Sequence, residues 1–580
     1  MSRHNAEESV TRYRALVAED PATYLPSLAR SLNNLSASLA EAGEVRAALD
    51  PAHEAVEIRR RLAEADPGAY LPELAASLNN LGIRLSQIGE VRAALHPAHE
   101  AVEIRRRLAE ADPGAYLPEL AASLNNLGIR LSQIGEVRAA LHPTREAVEI
   151  FRNLIIVEPR AYLPELASAL SNLGIRLSEV GEVRAALDPA HEAVEIRRRL
   201  AEADPGAYLP ELAGSLNNLS VSLAGVGEVR AALDPAHEAV EIRRRLAEAD
   251  PGAYLPELAS ALSNLGIRLS EVGEVRAALD PAHEAVEIRR RLAEADPGAY
   301  LPELAGSLNN LSVSLAGVGE VRAALDPAHE AVEIRRRLAE ADPGAYLPEL
   351  ASALSNLGIR LSEVGEVRAA LDPAHEAVEI RRRLAEADPG AYLPELAGSL
   401  NNLSVSLAGV GEVRAALDPA HEAVEIRRRL AEADPGAYLP ELAGSLNNLA
   451  SVYEAAGDLS RALPLYEQAL ADLEHVLGPD HPSTLASRNN LASAYKAAGD
   501  LSRALPLYEQ ALADLEHVLG PDHPSTLASR NNLASAYKAA GDLSRALPLY
   551  EQALADSIRI LGERHPTTQA IQGNLHSFER

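Results

Sequence analysis

The sequence predicts an all-α superhelical solenoid built from antiparallel helix pairs, and three observations carry that prediction. A Tyr-Leu-Pro triplet recurs every 46 residues, at Tyr24, Tyr70, Tyr116, Tyr162, Tyr208, Tyr254, Tyr300, Tyr346, Tyr392 and Tyr438. Between triplets, apolar residues return at spacings of three and four, the mark of one buried helix face. The chain is 47% hydrophobic but only 3% aromatic, with no Trp, which suits close packing of helices by Leu, Ala, Val and Ile.

Taken in order, residues 1–23 read as a half unit holding one helix around positions 5–19, and residues 24–437 as nine units of 46 residues. The stretch from Leu71 to Ala111 shows the design. Pro72 suits a first helical turn, where its missing N–H costs nothing. Leu71, Leu74, Leu78, Leu81, Leu85 and Ile88 then form one stripe, and Gly89 stops the helix. A second helix begins near Glu90 with Ala94, Ala98, Ala101, Ile104 and Leu108 on one side, and "DPG" at Asp112 makes the turn. Pro97, with its equivalents Pro51 and Pro189, falls inside that second helix. It is expected to kink a continuous rod; alternatively an Asp before it, as at Asp50, caps a fresh start.

From Leu166 to about Gly411, "ASALSNLGIRLSEVG" alternates with "AGSLNNLSVSLAGVG", so a 92-residue superunit stands copied three times. Beyond it the period shortens. Tyr466, Tyr508 and Tyr550 are 42 residues apart, residues 438–565 read as three shorter units, and residues 566–580 as a closing half unit with one helix near 567–578. That makes about 26 helices, each pair too short to bury its stripe except against its neighbours.

Here the residues carry a resemblance. Leu78-x-x-Leu81-Gly82-x-x-Leu85, followed by Ala94, Ala98 and Ala101, resembles the tetratricopeptide repeat pattern. The closing block, with Leu449, Ala450, Tyr453, Gly457, Ala462, Tyr466 and Ala469 and its "LGPDHPSTL", is similar to the kinesin-light-chain type. The 46-residue units depart from the pattern by placing Leu or Ala at both aromatic positions. The resemblance implies a right-handed superhelix of helix pairs and binding of a protein or extended peptide. Such repeats are also common in large bacterial signalling proteins.

Composition excludes whole classes of function. Cysteine is absent, which removes disulfides, thiolate metal sites and cysteine nucleophiles. The formal charge of −29 opposes nucleic-acid binding, which needs a basic face, and points to a basic rather than acidic partner. No run of about 18 apolar residues offers a membrane span. "MSRHNAEESVTRY" lacks the apolar region of a secretion signal, so the expected location is cytoplasmic. The Ala, Arg, Gly and Pro bias, with only Lys496 and Lys538 as lysines, points to a GC-rich, bacterial genome.

Catalytic constellations do not emerge. "HEAVE" recurs at His53, His99, His191, His237, His283, His329, His375 and His421, with Arg145 in its place in the third unit. It is not the HExxH zinc motif, and these histidines stand a full repeat apart. "AGVGEV" follows a helix rather than a strand, so no dinucleotide loop is expected. The reading is therefore non-enzymatic, with no cofactor and no metal. In "EIRRRLAEAD", Glu103 stands four before Arg107 and Arg106 four before Glu110, so intrahelical pairs on a solvated face account for the charge run.

One polar residue never changes. It is Asn34, Asn80, Asn126, Asn172, Asn218, Asn264, Asn310, Asn356, Asn402, Asn448, Asn490, Asn532 and Asn574, while its predecessor drifts among Asn, Ser and Gly. Asn is a poor helix-interior residue because its amide competes for backbone bonds, so something must compensate. At about 100° per residue, Asn80 lies away from the Leu78–Leu85 face, on a stripe with Ala76, Ile83 and Gln87. Either the amides bond the neighbouring repeat, or they form a ladder facing a ligand in a concave groove. The ligand ladder in a peptide-binding scaffold is the reading carried forward. The alternatives are a passive spacer or assembly rod, favoured by the near-identical central units, and the sensor arm of a larger signalling system. The additional tyrosines of the closing block favour a specific site there.

Overall fold

A computed structural model describes residues 3–563 and 565–577. Among them the chain forms 26 helices and no strand, from Arg3–Glu19 to Pro566–His576. Residues 1–2 and 578–580, at the outer ends of the two half units, lie outside the described residues. The chain divides into two compact units, Met1–Tyr208 and Leu209–Arg580, and the change of repeat length falls inside the second.

Within each unit the apolar stripes meet as the spacing predicts. In the first unit Leu74, Leu78, Leu81 and Leu85 pack with Ala94, Ala101 and Ile104, and the small residues let the paired helices close up. In the second, the 42-residue repeats add Tyr466, Tyr495, Tyr508 and Tyr537 to the same kind of core. The first helices of successive repeats touch one another: Pro113–Gln133 meets Pro159–Glu179 in the first unit, and Pro343–Glu363 meets Pro389–Gly409 in the second. The second helices of successive repeats make no comparable approach among the described residues. Helices on the inside of a curved stack crowd together, so the first helices line the concave side of each unit.

Two local expectations need correction. The first helix starts a turn before Pro72, at Pro67, because Asp66 caps it by accepting the N–H of Ala69 at 3.1 Å; Pro72 lies inside. The "DPG" stretch is accordingly less a turn than a shared cap. The Asp112 N–H closes one helix on Leu108 O at 2.9 Å while its carboxylate opens the next at Ala115. Between paired helices Gly89 takes φ 85°, which glycine alone adopts without strain.

The internal prolines show both behaviours. Val91–Ala111, Val137–Val157 and Val413–Ala433 run unbroken past Pro97, Pro143 and Pro419. In other units regular helix begins only two residues before the proline, as in Leu49–Ala65 and Leu279–Ala295. The preceding Asp caps neither: the cap positions are Ala48 and Ala278, both with helical backbone. Ala48 N–H still reaches Glu44 O at 3.2 Å, so the chain keeps a helical path through a loosened turn. The missing N–H of each proline leaves the carbonyl four residues back without its helical donor, a loss the unbroken helices tolerate and the loosened turns do not.

Because the pairs of the first unit lean only on their neighbours, opening there is expected to start at an end. The N-terminal helix Arg3–Glu19 buries just Ala6 and Val10. Hydrogen exchange should therefore run fastest there and slow progressively inward. Uniform protection along the chain would contradict a linear array.

Candidate functional site

The thirteen invariant asparagines all stand on first helices, from Asn34 in Pro21–Glu41 to Asn574 in Pro566–His576. Asn34 and Asn490 are exposed and the others half-buried, so the row lies at the groove surface rather than in the core. Five of them reach back to the preceding repeat. Nδ2 of Asn126 donates to Asn79 Oδ1 at 3.1 Å, Asn172 to Asn125 at 3.0 Å, Asn264 to Asn217 at 2.8 Å, Asn448 to Asn401 at 3.2 Å and Asn574 to Asn531 at 3.1 Å. The drifting predecessor is thus the acceptor. It also donates forward: Asn401 Nδ2 lies 2.8 Å from Ser445 Oγ, and Asn33 Nδ2 lies 2.7 Å from Ser77 Oγ. These bonds form a polar zipper between first helices and explain how those five asparagines are tolerated mid-helix.

The zipper uses the amide nitrogen of an invariant asparagine as donor, on a residue that stays half-buried. Asn490 and Asn532 differ from these five. Neither side chain bonds a neighbouring repeat among the described residues, and both line a cavity of about 440 Å³ in the second unit. Its other walls include Asn489, His481, His523, Leu515, Leu519 and Val229. The Asn489 Oδ1 is buried there without a protein partner. Three residues beyond the asparagine, every 46-residue unit after the first, which has Ala37, carries Ile or Val. Val221, Val313 and Val405 are about half exposed, beside Asn218, Asn310 and Asn402. The groove therefore pairs an amide row with an aliphatic row. On the same helices Arg130, which donates to Asn126 O at 2.7 Å, has its guanidinium pushed down to about 10 by burial.

The charge run behaves differently from the expected intrahelical pairing. Its first arginine is an internal pin. Arg381 donates through Nη1 to Ser399 Oγ at 2.6 Å and Glu395 O at 3.0 Å, and through Nη2 to Ser352 Oγ at 2.8 Å. Burial lowers its pKa, against the weaker opposing pull of Glu395. The second arginine bridges repeats: Arg106 meets Glu146 at 2.7 Å, Arg290 meets Glu330 at 2.5 Å and Arg336 meets Glu376 at 2.8 Å. The intrahelical pairs are longer, with Glu195 and Arg199 at 4.0 Å. Crossing to the next repeat wins because a stacked second helix sets a carboxylate opposite the guanidinium. Each half-exposed bridge contributes at most about 1 kcal/mol.

The remaining sequence signals divide the same way. The "HEAVE" histidines are exposed, and His421 Nε2 lies 2.8 Å from the Tyr453 hydroxyl. The additional tyrosines of the closing block are core residues. Tyr466, Tyr508 and Tyr550 are buried, and Tyr495 and Tyr537 lie under Arg503 and Arg545, 5.3 and 4.3 Å from the ring centres. They therefore supply no groove-facing aromatic. Sequence reading missed the predecessor asparagine and its serine partner. Their alternation between two hydrogen-bonding types was the available signal.

A tetratricopeptide repeat model matches residues 28–67, 74–113, 120–155, 166–205, 212–251, 258–297, 304–343, 350–389 and 396–435. A second tetratricopeptide repeat model matches 441–517 and 504–557. No curated protein sequence matches the chain significantly. Among solved structures, the chain is similar to a Podosopora anserina protein of kinesin-light-chain description with nearly identical TPR-like repeats. That match is 30% identical, covers 37% of this chain and 97% of the other, and has a TM-score of 0.30. BtubC (BKLC) from P. vanneervenii is 25% identical over 42% of this chain and 92% of its own, with a TM-score of 0.34. A Rap protein complexed with competence and sporulation factor is 15% identical over 69% of this chain and 99% of its own, with a TM-score of 0.44.

Proposed function

Because the chain belongs to the tetratricopeptide repeat family, we propose that it is a non-enzymatic scaffold holding a protein or extended peptide in the groove lined by its first helices. The observation that carries this reading is the pair Asn490 and Asn532, two amides that bond no neighbouring repeat and line one cavity. An asparagine can donate to and accept from an extended ligand's backbone whatever that ligand's side chains, so the row holds the chain while nearby positions select it. The half-exposed Val221, Val313 and Val405 give aliphatic residues of the ligand a place beside the row. With a net charge of −29, the partner is basic, and its association slows as salt rises.

Changing Asn490 and Asn532 to Ala together tests the groove. Asn448 is left intact because it bonds Asn401. Ala is the better helix former, so stability should hold or rise slightly, while a partner recovered by affinity capture from the native host loses at least tenfold in affinity. Undiminished binding would remove the groove's role. A stability loss of several kcal/mol would mark both amides as structural.

A second reading, a rod whose repeat number sets its length, draws support from the Arg–Glu bridges that tie successive second helices regardless of any ligand. It is distinguished by the same capture experiment, since a rod recovers no partner through its groove.

A further inference from the structure

In the second unit, three of the turns between paired helices are covered by the beginnings of much later helices. A Cβ placed on Gly227 would lie 3.3 Å from Pro482 Cδ, one on Gly273 2.7 Å from Pro524 Cδ, and one on Gly319 2.9 Å from His565 Cδ2. His481, His523 and His565 cap those later helices, each accepting a backbone N–H at Nδ1, from Ser483, Ser525 and Thr567. With Nδ1 accepting, Nε2 carries the proton. It lies 3.0 Å from Glu271 O in His523 and 3.3 Å from Gly317 O in His565. Arg230 and Arg276 reach the opposite way and donate to Leu519 O at 3.0 Å and Leu561 O at 3.3 Å, at helix ends whose carbonyls need donors.

Apolar contacts complete the seam. Val229 and Val272 bury with Leu485, Leu515 and Leu519, and Val275 buries with Leu527 and Leu561. The same "GEVR" turn recurs at Gly365 and Gly411, where Val367 and Val413 stay half-exposed and the glycines are open. Identical turns are thus covered or uncovered according to whether a later helix start meets them.

We propose that this seam is a latch: it shuts the groove sideways along the cavity holding Asn490 and Asn532, and it parts on acidification because its three histidines cap the abutting helix starts only when neutral. The seam is read from contacts alone; its control of ligand access rests on the groove reading above. A protonated imidazole has no acceptor nitrogen, so each cap is lost; the Nε2–H bonds to Glu271 O and Gly317 O persist, but a cation is left at a helix start in the joint. Facing the histidines are Arg230, Arg276, Glu271, Glu274 and Asp522, with Glu228, Glu320, Asp480 and Glu563 exposed beside them. Glu271 is already held by Arg268 at 2.9 Å and Asp522 by Arg559 at 2.7 Å, whereas Arg230 and Arg276 bond only carbonyls and oppose a further positive charge. Burial holds all three histidines below their ordinary range. Lowered folded-state values mean that the contribution is full above the unfolded histidine pKa, about 6.5, and is lost as pH falls through the lower folded values.

The chain has no cysteine, so spin labels can be placed on the full chain at Glu228→Cys and Asp480→Cys, both exposed and on opposite sides of the seam. One short distance is expected at pH 7.5, and it should be lost near pH 5. It should also be lost at pH 7.5 in Gly273→Ala, and kept in Gly411→Ala, where φ is equally positive at 85° but nothing lies within 4 Å. Changing His481, His523 and His565 to Asn supplies a cap acceptor that does not titrate, so the short distance should then persist at pH 5. Survival of the short distance in Gly273→Ala overturns the latch, as does its indifference to acid in the histidine-bearing chain. Its disappearance on mixing with unlabelled chain, marking a contact between copies, does the same. With the latch opened, a captured partner should associate at least tenfold faster. An unchanged rate would overturn gating, whereas failure of the groove reading would appear separately, as indifference of binding to Asn490 and Asn532.

Discussion

Tyr508→Ala is expected to cost about 3–5 kcal/mol and to unfold the closing repeats while leaving the 46-residue units intact. Tyr508 is fully buried and shares a cluster with Tyr466, Tyr495, Tyr537 and the alanines Ala469, Ala492 and Ala494. The corresponding position of the 46-residue units is already Ala, as at Ala420, equally buried. Those units have settled around the small residue, but a truncated Tyr508 leaves a void that its own neighbours cannot fill. Nearest-neighbour coupling confines the damage to the closing repeats and to the turns they cover, so exchange protection should collapse around residues 459–560, loosen at the Val229 and Val272 turns, and hold elsewhere. A loss below about 1 kcal/mol would mean that the closing repeats can repack as their longer relatives do.

What the sequence revealed followed from which forces act locally. The helix pairs were legible because stripe, glycine stop and small-residue face repeat with each unit. The start of the first helix was misplaced by one turn because Pro67 and Pro72 both satisfy the N-terminal preference, and only the Asp66 cap decides between them. The asparagine row and its position on the first helices were legible, but its zipper partners were not. Asn126 and Asn79 meet only because two helices 47 residues apart are stacked in register. The charge run misled for the same reason: Arg290 has an acceptable partner in its own helix and a better one in the next repeat. The seam was least accessible of all. His523 and Glu271 stand 252 residues apart, and nothing local specifies a meeting that depends on the accumulated curvature of several repeats.

The second large effect concerns a polar joint that replaces an apolar one. In the first unit Leu170 and Ile196 share a cluster, 26 residues apart. The equivalent positions of the closing repeats hold Arg488 with Asp514, and Arg530 with Asp556, again 26 apart and paired at 2.6 and 2.9 Å. Arg530 is only 3% exposed and also meets Glu516 at 2.8 Å. Arg530→Ala therefore removes buried packing and strips Asp556 of one cation, at a cost of about 3 kcal/mol, the low end for a broken buried pair. The low end applies because Arg559 still reaches Asp556 at 3.0 Å and Glu516 is well solvated. Replacing both partners should behave differently. Arg530→Leu with Asp556→Ile imports the pair used by the longer units, exchanging two desolvated charges for apolar contact of similar reach, and is expected to be neutral or stabilising. Denaturant unfolding of the single and double variants, read on the closing repeats, gives the comparison. If the double variant is as damaged as Arg530→Ala, the ion pair is required by the geometry of the 42-residue repeat. Recovery to the parent level or above would show instead that the two repeat types share one joint that tolerates either chemistry.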